Sequence, residues 1–466
     1  MGSIPRQPSA QQGMKKIRLG AGSASWGDML DPAVDLVKYG NLDYIGFDHL
    51  AELTLSILQR MKAKDPKRGY IPDLIPWTQT LLPLCQAKGI KMLTNAGGAN
   101  PEQGGEEVLK IAKAANLPGL KIGVVVGDDI FNRIQDIHKR GIKLANMDTG
   151  EEDIDRIMDR IVAANVYIGS ERLVEALGKG ADVVVTGRCT DNALYIAPMV
   201  HEFGWAMDDW DKIAAGITIG HIIECTTGCT GGMSNFWKDI KEPWRAAFPI
   251  AEVYENGDAI ITKPKETGRF ITEWTVKEHL VYEIHDPRNY LMADGIADLT
   301  HLSIKEVAKD EVRVTGFKGK PKPKMLKLCI GYEDGWIGES EISVSWPDAL
   351  EKAKFCESFL RGRFKEKNLE IQEIRVDYIG VNSLHGPLAT VPHPSELNEV
   401  RVRVAVRTSS KEVANLVRRE VTHLWTHGPV GSTAVISPPP PRQVISLWPT
   451  LIPREEVPTR LIMREV

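Results

Sequence analysis

Long apolar runs are missing from this sequence: stretches such as Val183-Val184-Val185 fall far short of the roughly 20 residues a bilayer-spanning helix needs. Charge of one sign is missing too. Lys and Arg number 58 against 62 Asp and Glu, a net charge of -4, which leaves no electrostatic footprint for nucleic acid or an anionic membrane. A small-molecule partner, with no nucleic acid and no membrane, is the expectation. Six cysteines in 466 residues, mostly in apolar contexts, suit reduced thiols and a cytoplasmic setting rather than a disulfide scaffold. Nucleotide motifs are also wanting. No GxxxxGK[ST] loop occurs, and Gly20-x-Gly22 lacks the third glycine of the dinucleotide fingerprint, Ser25 standing in its place, which argues against NAD.

What is present is ordinary globular usage, 42% hydrophobic and 26% charged, in a chain long enough for two or three domains. Residues 1–14, rich in Ser, Pro and Gln, read as a disordered lead-in. From residue 15 to 242, short β-type runs (Ile17–Leu19, Tyr44–Phe47, Lys91–Leu93, Ile122–Val126, Val183–Val185) alternate with segments of helical spacing, among them Asp153–Ala163. That alternation predicts an α/β domain whose mostly parallel sheet carries flanking helices. Residues 243–436 predict a smaller mixed α+β region, with an Asn256-Gly257 hairpin. The tetraproline Pro438–Pro441 opens an extended tail over 437–466 that is expected to run along the surface.

In an open parallel sheet, ligands bind beyond the carboxyl ends of the strands, and polar residues recur at those places here. Gly22, Ser23, Trp26 and Asp28 follow the first strand, and Asp48 and His49 the second. Asn95, Gly97 and Gly98 follow the third, Asp128 and Asp129 the fourth, and Arg188, Cys189 and Asp191 a later one. The glycines equally serve tight turns and the carboxylates helix caps. Five such ends converging on one rim, however, predict a site. Arg188 is the candidate clamp for a substrate carboxylate, or else half of an ion pair with Asp191. Asp128, Asp48 with His49, and Asp191 are the acid–base candidates; Gly22, Ser23, Trp26, Asp28, Asn95, Gly97, Gly98, Asp129 and Cys189 would line the substrate. A divalent metal rests only on His201, His221, Glu224, Cys225 and Cys229, where CxxxC lacks a second pair; a structural role for these residues is the alternative.

Six segments carry a family resemblance: Trp26–Asp28 (WGD), Asp43–Thr54 (DYIGFDHLAELT), Asn95–Pro101 (NAGGANP), Val185–Asp191 (VTGRCTD), His201–Trp205 (HEFGW) and Gly220–Cys225 (GHIIEC). Together they resemble the acyclic terpene utilisation (AtuA) family over nearly the whole chain. The resemblance implies a place in terpene catabolism through CoA thioesters, and a separate small ferredoxin-like subunit as a candidate partner. It carries over no catalytic residue. The expectation is a catabolic enzyme, of lyase or hydratase type, that adds or removes water or cleaves a C–C bond in a carboxylate or acyl-CoA substrate. It would require no nucleotide cofactor and form a homo-oligomer. The alternative is a non-catalytic binding or assembly subunit of an acyl-CoA-processing complex.

Overall fold

The computed structural model describes residues 13–265, 267–434 and 437–466; of the expected lead-in, all but residues 13 and 14 lies outside them. The chain divides into two compact units. Of the described residues, the first holds those up to Met158, Val162–Ile330 and Leu447–Val466, and the second Asp159–Ile161 and Gly331–Ser446. This division falls elsewhere than at residue 242, because the strands after Pro243 return to the first unit's sheet.

In the first unit β1 (Lys16–Ser23) leads through α1 (Leu30–Tyr39) to β2 (Tyr44–Phe47). After α2 (Glu52–Lys64) and α3 (Leu74–Lys88) comes β3 (Lys91–Thr94), then α4 (Pro101–Ala114) and β4 (Lys121–Val126). The chain continues through α5 (Ile134–Lys139), β5 (Ile161–Val166), α6 (Glu171–Gly178) and β6 (Val183–Thr186) to α7 (Ala193–Phe203) and α8 (Trp210–Glu224). Local chemistry sets these limits. Gly89 ends α3 in the left-handed conformation at φ 69°, the usual helix stop, and Asp209 caps α8 by accepting from the Lys212 N–H at 3.3 Å. The helix expected over Asp153–Ala163 is instead a 3₁₀ turn at Ile154–Arg160 followed by β5; there the apolar β-branched residues Ile161, Val162 and Val166 favour a strand.

β7 (Ile250–Tyr254) and β8 (Ala259–Thr262) form the predicted hairpin, with Gly257 at φ 95° in its turn. Beyond it lie α9 (Glu273–Leu280), β9 (Tyr290–Leu291), β10 (Ile296–Asp298), β11 (Ser303–Ala308), β12 (Glu311–Thr315), β13 (Lys318–Lys320) and the long β14 (Met325–Ser345). The main sheet runs β11-β12-β8-β7-β1-β2-β3-β6-β4, with the last strand of the chain, β19, outermost. Its centre, β1, β2, β3, β6 and β4, is parallel. The strands on either side pair antiparallel, so the sheet is mixed, not mostly parallel as expected. Short turns such as that between β7 and β8 can join only antiparallel neighbours. The parallel strands are buried on both faces, as β6 shows along its length. Ile45, Val124 and Val185 join Leu58, Leu81 and Val108 of the helices in one core; each fully buried side chain of this kind stabilises by ~1.5–3 kcal/mol.

The second unit contains α10 (Ala349–Glu366), β15 (Glu373–Ile379), β16 (Glu399–Thr408), α11 (Lys411–His427) and β17 (Ser432–Ala434). Along β16 the pattern alternates: Val400, Val402, Val404 and Val406 enter the core with Cys356, Leu360, Val417 and Leu424, while Arg403 pairs with Glu339 at 2.5 Å and Asp377 at 2.9 Å. The tail then gives β18 (Arg442–Pro453) and β19 (Arg460–Glu465). Its last strand, β19, is hydrogen-bonded against β4 rather than lying loose on the surface.

Candidate active site

Because β1, β2, β3, β6 and β4 are parallel, their carboxyl ends share one rim. Arg188, two residues past β6, is the hub of it. Its guanidinium, only 4% exposed, places Nη1 2.8 Å from Asp191 Oδ1 and 3.0 Å from the Leu50 carbonyl. It also stacks on the Tyr167 ring, 4.0 Å from the centroid. The Arg188 backbone N–H donates to Asp128 Oδ2 at 2.8 Å, and the Asn165 amide donates to the same oxygen at 3.0 Å. Gly187 makes room for this: a Cβ there would lie 2.2 Å from Asp128 Oδ1. Thus the ends of β6 and β4 and the strand β5 itself meet at one carboxyl group.

A second knot joins β1, β2 and β3. Asn95 donates its amide to Asp48 Oδ1 and accepts the His49 N–H at 2.8 Å. The Ser23 hydroxyl donates to the Asp48 carbonyl at 2.9 Å and lies 3.2 Å from His49 Nδ1. Since the Ser23 hydrogen is used on the carbonyl, its oxygen accepts from His49 Nδ1–H. That tautomer leaves the lone pair on Nε2. Leu50, whose carbonyl binds Arg188, ties the two knots together.

Burial tunes these groups. It raises Asp128 to about 7, Asp129 adding to the effect while the Arg188 N–H and Asn165 oppose it. It also raises Asp48, helped by Asp191 and opposed by Arg188 and Asn95. His49, packed edge-on to Trp77 at 5.2 Å, is lowered by burial to about 4 and is neutral near pH 7. Cys189 is wholly buried and its thiol pushed up, so it is a protonated core group and no thiolate nucleophile. Burial alone would raise Glu52, but Tyr167 and Lys327, the latter at 3.0 Å, outweigh it and hold the carboxylate at about 2.

The remaining candidates divide. Asp28 accepts the Ala24 and Met29 N–H groups within its own turn, and Asp129 is engaged by Gln59 at 2.7 Å. Trp26 packs on the core. A Cβ on Gly22 would meet the Phe47 ring at 2.3 Å and one on Gly97 the Thr186 carbonyl at 2.5 Å, while Gly98 has φ +56°. These glycines answer close packing and a turn. Several buried polar atoms without a hydrogen-bond partner among the described residues lie between the end of β6 and the first turn of α7: Thr186 Oγ1, Arg188 Nε, Thr190 Oγ1, both amide atoms of Asn192 and Tyr195 Oη. Natural interiors leave few such groups unsatisfied, so this stretch carries hydrogen-bonding capacity that the fold itself does not use. A cleft of about 330 Å³ is lined by Ile168, Glu171, Arg172 and Arg454; of these, Ile168 bonds backbone to backbone with Thr190 at 3.0 Å.

The AtuA family profile, acyclic terpene utilisation family protein AtuA, matches residues 17–463. The chain belongs to this family. No curated protein and no solved structure matches it. AtuA membership suggests a role in acyclic terpene utilisation. Among the described residues, no helix is long and apolar enough to cross a membrane, and no three His, Cys, Asp or Glu side chains are grouped to hold a metal ion. Sequence reasoning assigns Asn165 and Tyr167 to no element, since the helix expected over Asp153–Ala163 takes in the first three residues of β5 and hides the strand. Asn192 and Tyr195 were missed as well, although they directly follow the VTGRCTD segment and could have been taken with it.

Proposed function

We propose that this chain is a catabolic enzyme of acyclic terpene utilisation that adds or removes water, or cleaves a C–C bond, in a carboxylate or acyl-CoA substrate. The observation that carries the reading is the meeting of Asp48, His49, Asn95, Asp128 and Arg188, from separate strand ends, in one buried network beside unpartnered polar atoms.

Arg188 is fixed by Asp191 and Tyr167, and its buried Nε–H has no acceptor among the described residues. It would receive a substrate carboxylate, or the negative charge that develops on a thioester oxygen, where a dry surrounding makes the attraction stronger than in water. Water addition or removal also needs one group to exchange a proton with carbon. Asp128, titrating at about 7, is divided between its acid and base forms at neutral pH, and neutral His49 offers Nε2 as a second acceptor. The cleft, with Arg172 and Arg454 on its wall, supplies an approach for the rest of the substrate.

The test is turnover of a panel of enoyl-CoA and hydroxyacyl-CoA esters and free hydroxy acids by the wild type and by Arg188→Lys. Loss of the planar fork and of its Nε–H should lower kcat/KM by ~10-fold or more. Turnover unchanged by the substitution removes Arg188 from the reaction, and a chain inactive on every member of the panel contradicts the enzymatic reading.

A further inference from the structure

A second buried acid faces the same turn. His221 and Glu224 stand three residues apart at the end of α8, with 3% and 10% of their side chains exposed. α8 packs closely onto the β6–α7 turn here, since a Cβ on Gly220 would lie 2.6 Å from that of Asn192. His221 Nε2 is 3.2 Å from the Leu280 carbonyl, which can only accept, so Nε2 carries a hydrogen. The other ring nitrogen, Nδ1, is 3.0 Å from Glu224 Oε1 and 3.3 Å from the Tyr290 hydroxyl. His279 Nε2 donates to the His221 carbonyl at 3.1 Å, and the two imidazoles stack at 5.6 Å, fixing the ring plane.

That contact admits one hydrogen between Nδ1 and Oε1. With none, two lone pairs oppose each other. The charged and titratable groups whose fields reach the pair are Asp48, Arg188 and Asp191 from the strand ends, Tyr195 of α7, Cys225 beside it on the chain, His279 of α9, Glu283 after α9, and Tyr290 of β9. Burial, then Asp191, pushes Glu224 up against the opposing pull of Arg188, while burial pushes His221 down. Both effects put the shared proton on the carboxyl.

We infer that Glu224 and His221 hold one proton between them, with Tyr290 as the third member, and that Glu224 is the acid that exchanges a proton with the substrate's departing or entering hydroxyl oxygen at Asn192, Tyr195 and Arg188. The inference rests on the hydratase or lyase reading above. In the dehydrating direction the Glu224 O–H bond breaks and an O–H bond forms on the departing hydroxyl, which leaves as water; the carboxylate left behind faces Arg188. In the hydrating direction Glu224 takes that proton from the entering water.

Two measurements decide it. In the substrate-free protein at pH 7, infrared spectra should show a protonated carboxyl band that Glu224→Gln abolishes and Asp128→Asn leaves in place. Nitrogen NMR should show His221 with a hydrogen on Nε2 and not a second, separate one on Nδ1. A doubly protonated His221, or a band indifferent to Glu224→Gln, overturns the shared proton, whether or not any substrate is turned over. On the substrate panel, Glu224→Gln should lower kcat by ~100-fold or more and remove one ionisation from the pH profile, whereas Tyr290→Phe should keep that ionisation but displace it. Wild-type turnover matched by Glu224→Gln overturns the acid role. A wild type with no turnover sinks the enzymatic reading, and the acid role with it, while the spectra still decide the shared proton. Tyr290→Phe, tested by the same nitrogen NMR, keeps the question answerable if Glu224→Gln does not fold.

Discussion

Gly187→Ala should be among the most damaging single-methyl changes in the molecule. The new Cβ would lie 2.2 Å from Asp128 Oδ1 and 2.6 Å from its Cγ, separations that no real contact sustains. Gly187 does not have the left-handed backbone that alanine resists, so the cost comes from the carboxyl group and not from φ. Asp128 must swing away, and doing so releases the Arg188 N–H and the Asn165 amide, now bonded at 2.8 and 3.0 Å. Two buried donors left unsatisfied cost about 1–3 kcal/mol each, so Gly187→Ala should destabilise by roughly 2–6 kcal/mol. Asp128→Ala releases the same two donors and should cost a similar amount. The double variant should cost little more than either, because the methyl then occupies the space the carboxyl vacated. Urea unfolding of the four proteins measures this directly, and the coupling should exceed about 2 kcal/mol, near the upper part of the range seen for residues in contact. Strictly additive costs, or a Gly187→Ala protein as stable as the wild type, would refute the proposed fit between β6 and Asp128.

Two titrations should leave opposite marks on stability. Asp128 is raised from 3.8 to about 7, so the folded protein holds its proton more tightly than the unfolded chain. The stability this confers is complete below pH ~4 and is lost as pH rises through about 7, a change of roughly 4 kcal/mol. Asp128→Asn should flatten that decline in urea midpoints measured from pH 4 to 8, and an unaltered slope would speak against it. His49 is lowered from 6.5 to about 4, so the unfolded chain binds the extra proton. Its contribution therefore rises by roughly 3 kcal/mol between pH ~4 and ~6.5. His49→Gln should remove that rise in the same experiment, and a profile identical to the wild type would contradict the buried neutral imidazole.

The parts of the site visible in the sequence were those that follow unmistakable strands. β-branched runs such as Val183–Val185 announce a buried strand, so the residues just past them, Arg188 and Asp191 included, were placed on the rim by topology alone. Asn165 and Tyr167 were hidden because the helical spacing of Asp153–Ala163 masks the start of β5, so the residues at and beyond its end had no strand to place them. Partner choice was hidden as well. Arg188–Asp191 was legible as an i,i+3 pair, but Tyr167 under the guanidinium and the Leu50 carbonyl on it depend on side-chain directions that periodicity does not encode. The mixed character of the sheet could be glimpsed in Asn256-Gly257, yet nothing local tells β7 to lie beside β1 or β19 beside β4. Those neighbours are chosen by the exposed edges of an already formed parallel core.

Arg188 and its network should receive an anionic ligand at the strand ends. Thermal unfolding should be followed for the wild type, Arg188→Lys and Asn192→Ala, each with and without saturating carboxylates and CoA esters. A ligand at 100 times its Kd adds about 2.7 kcal/mol to the native state. At least one compound should therefore raise the wild-type Tm clearly, and raise it far less in either variant. Equal upward shifts in all three proteins would place the ligand elsewhere and contradict the central claim.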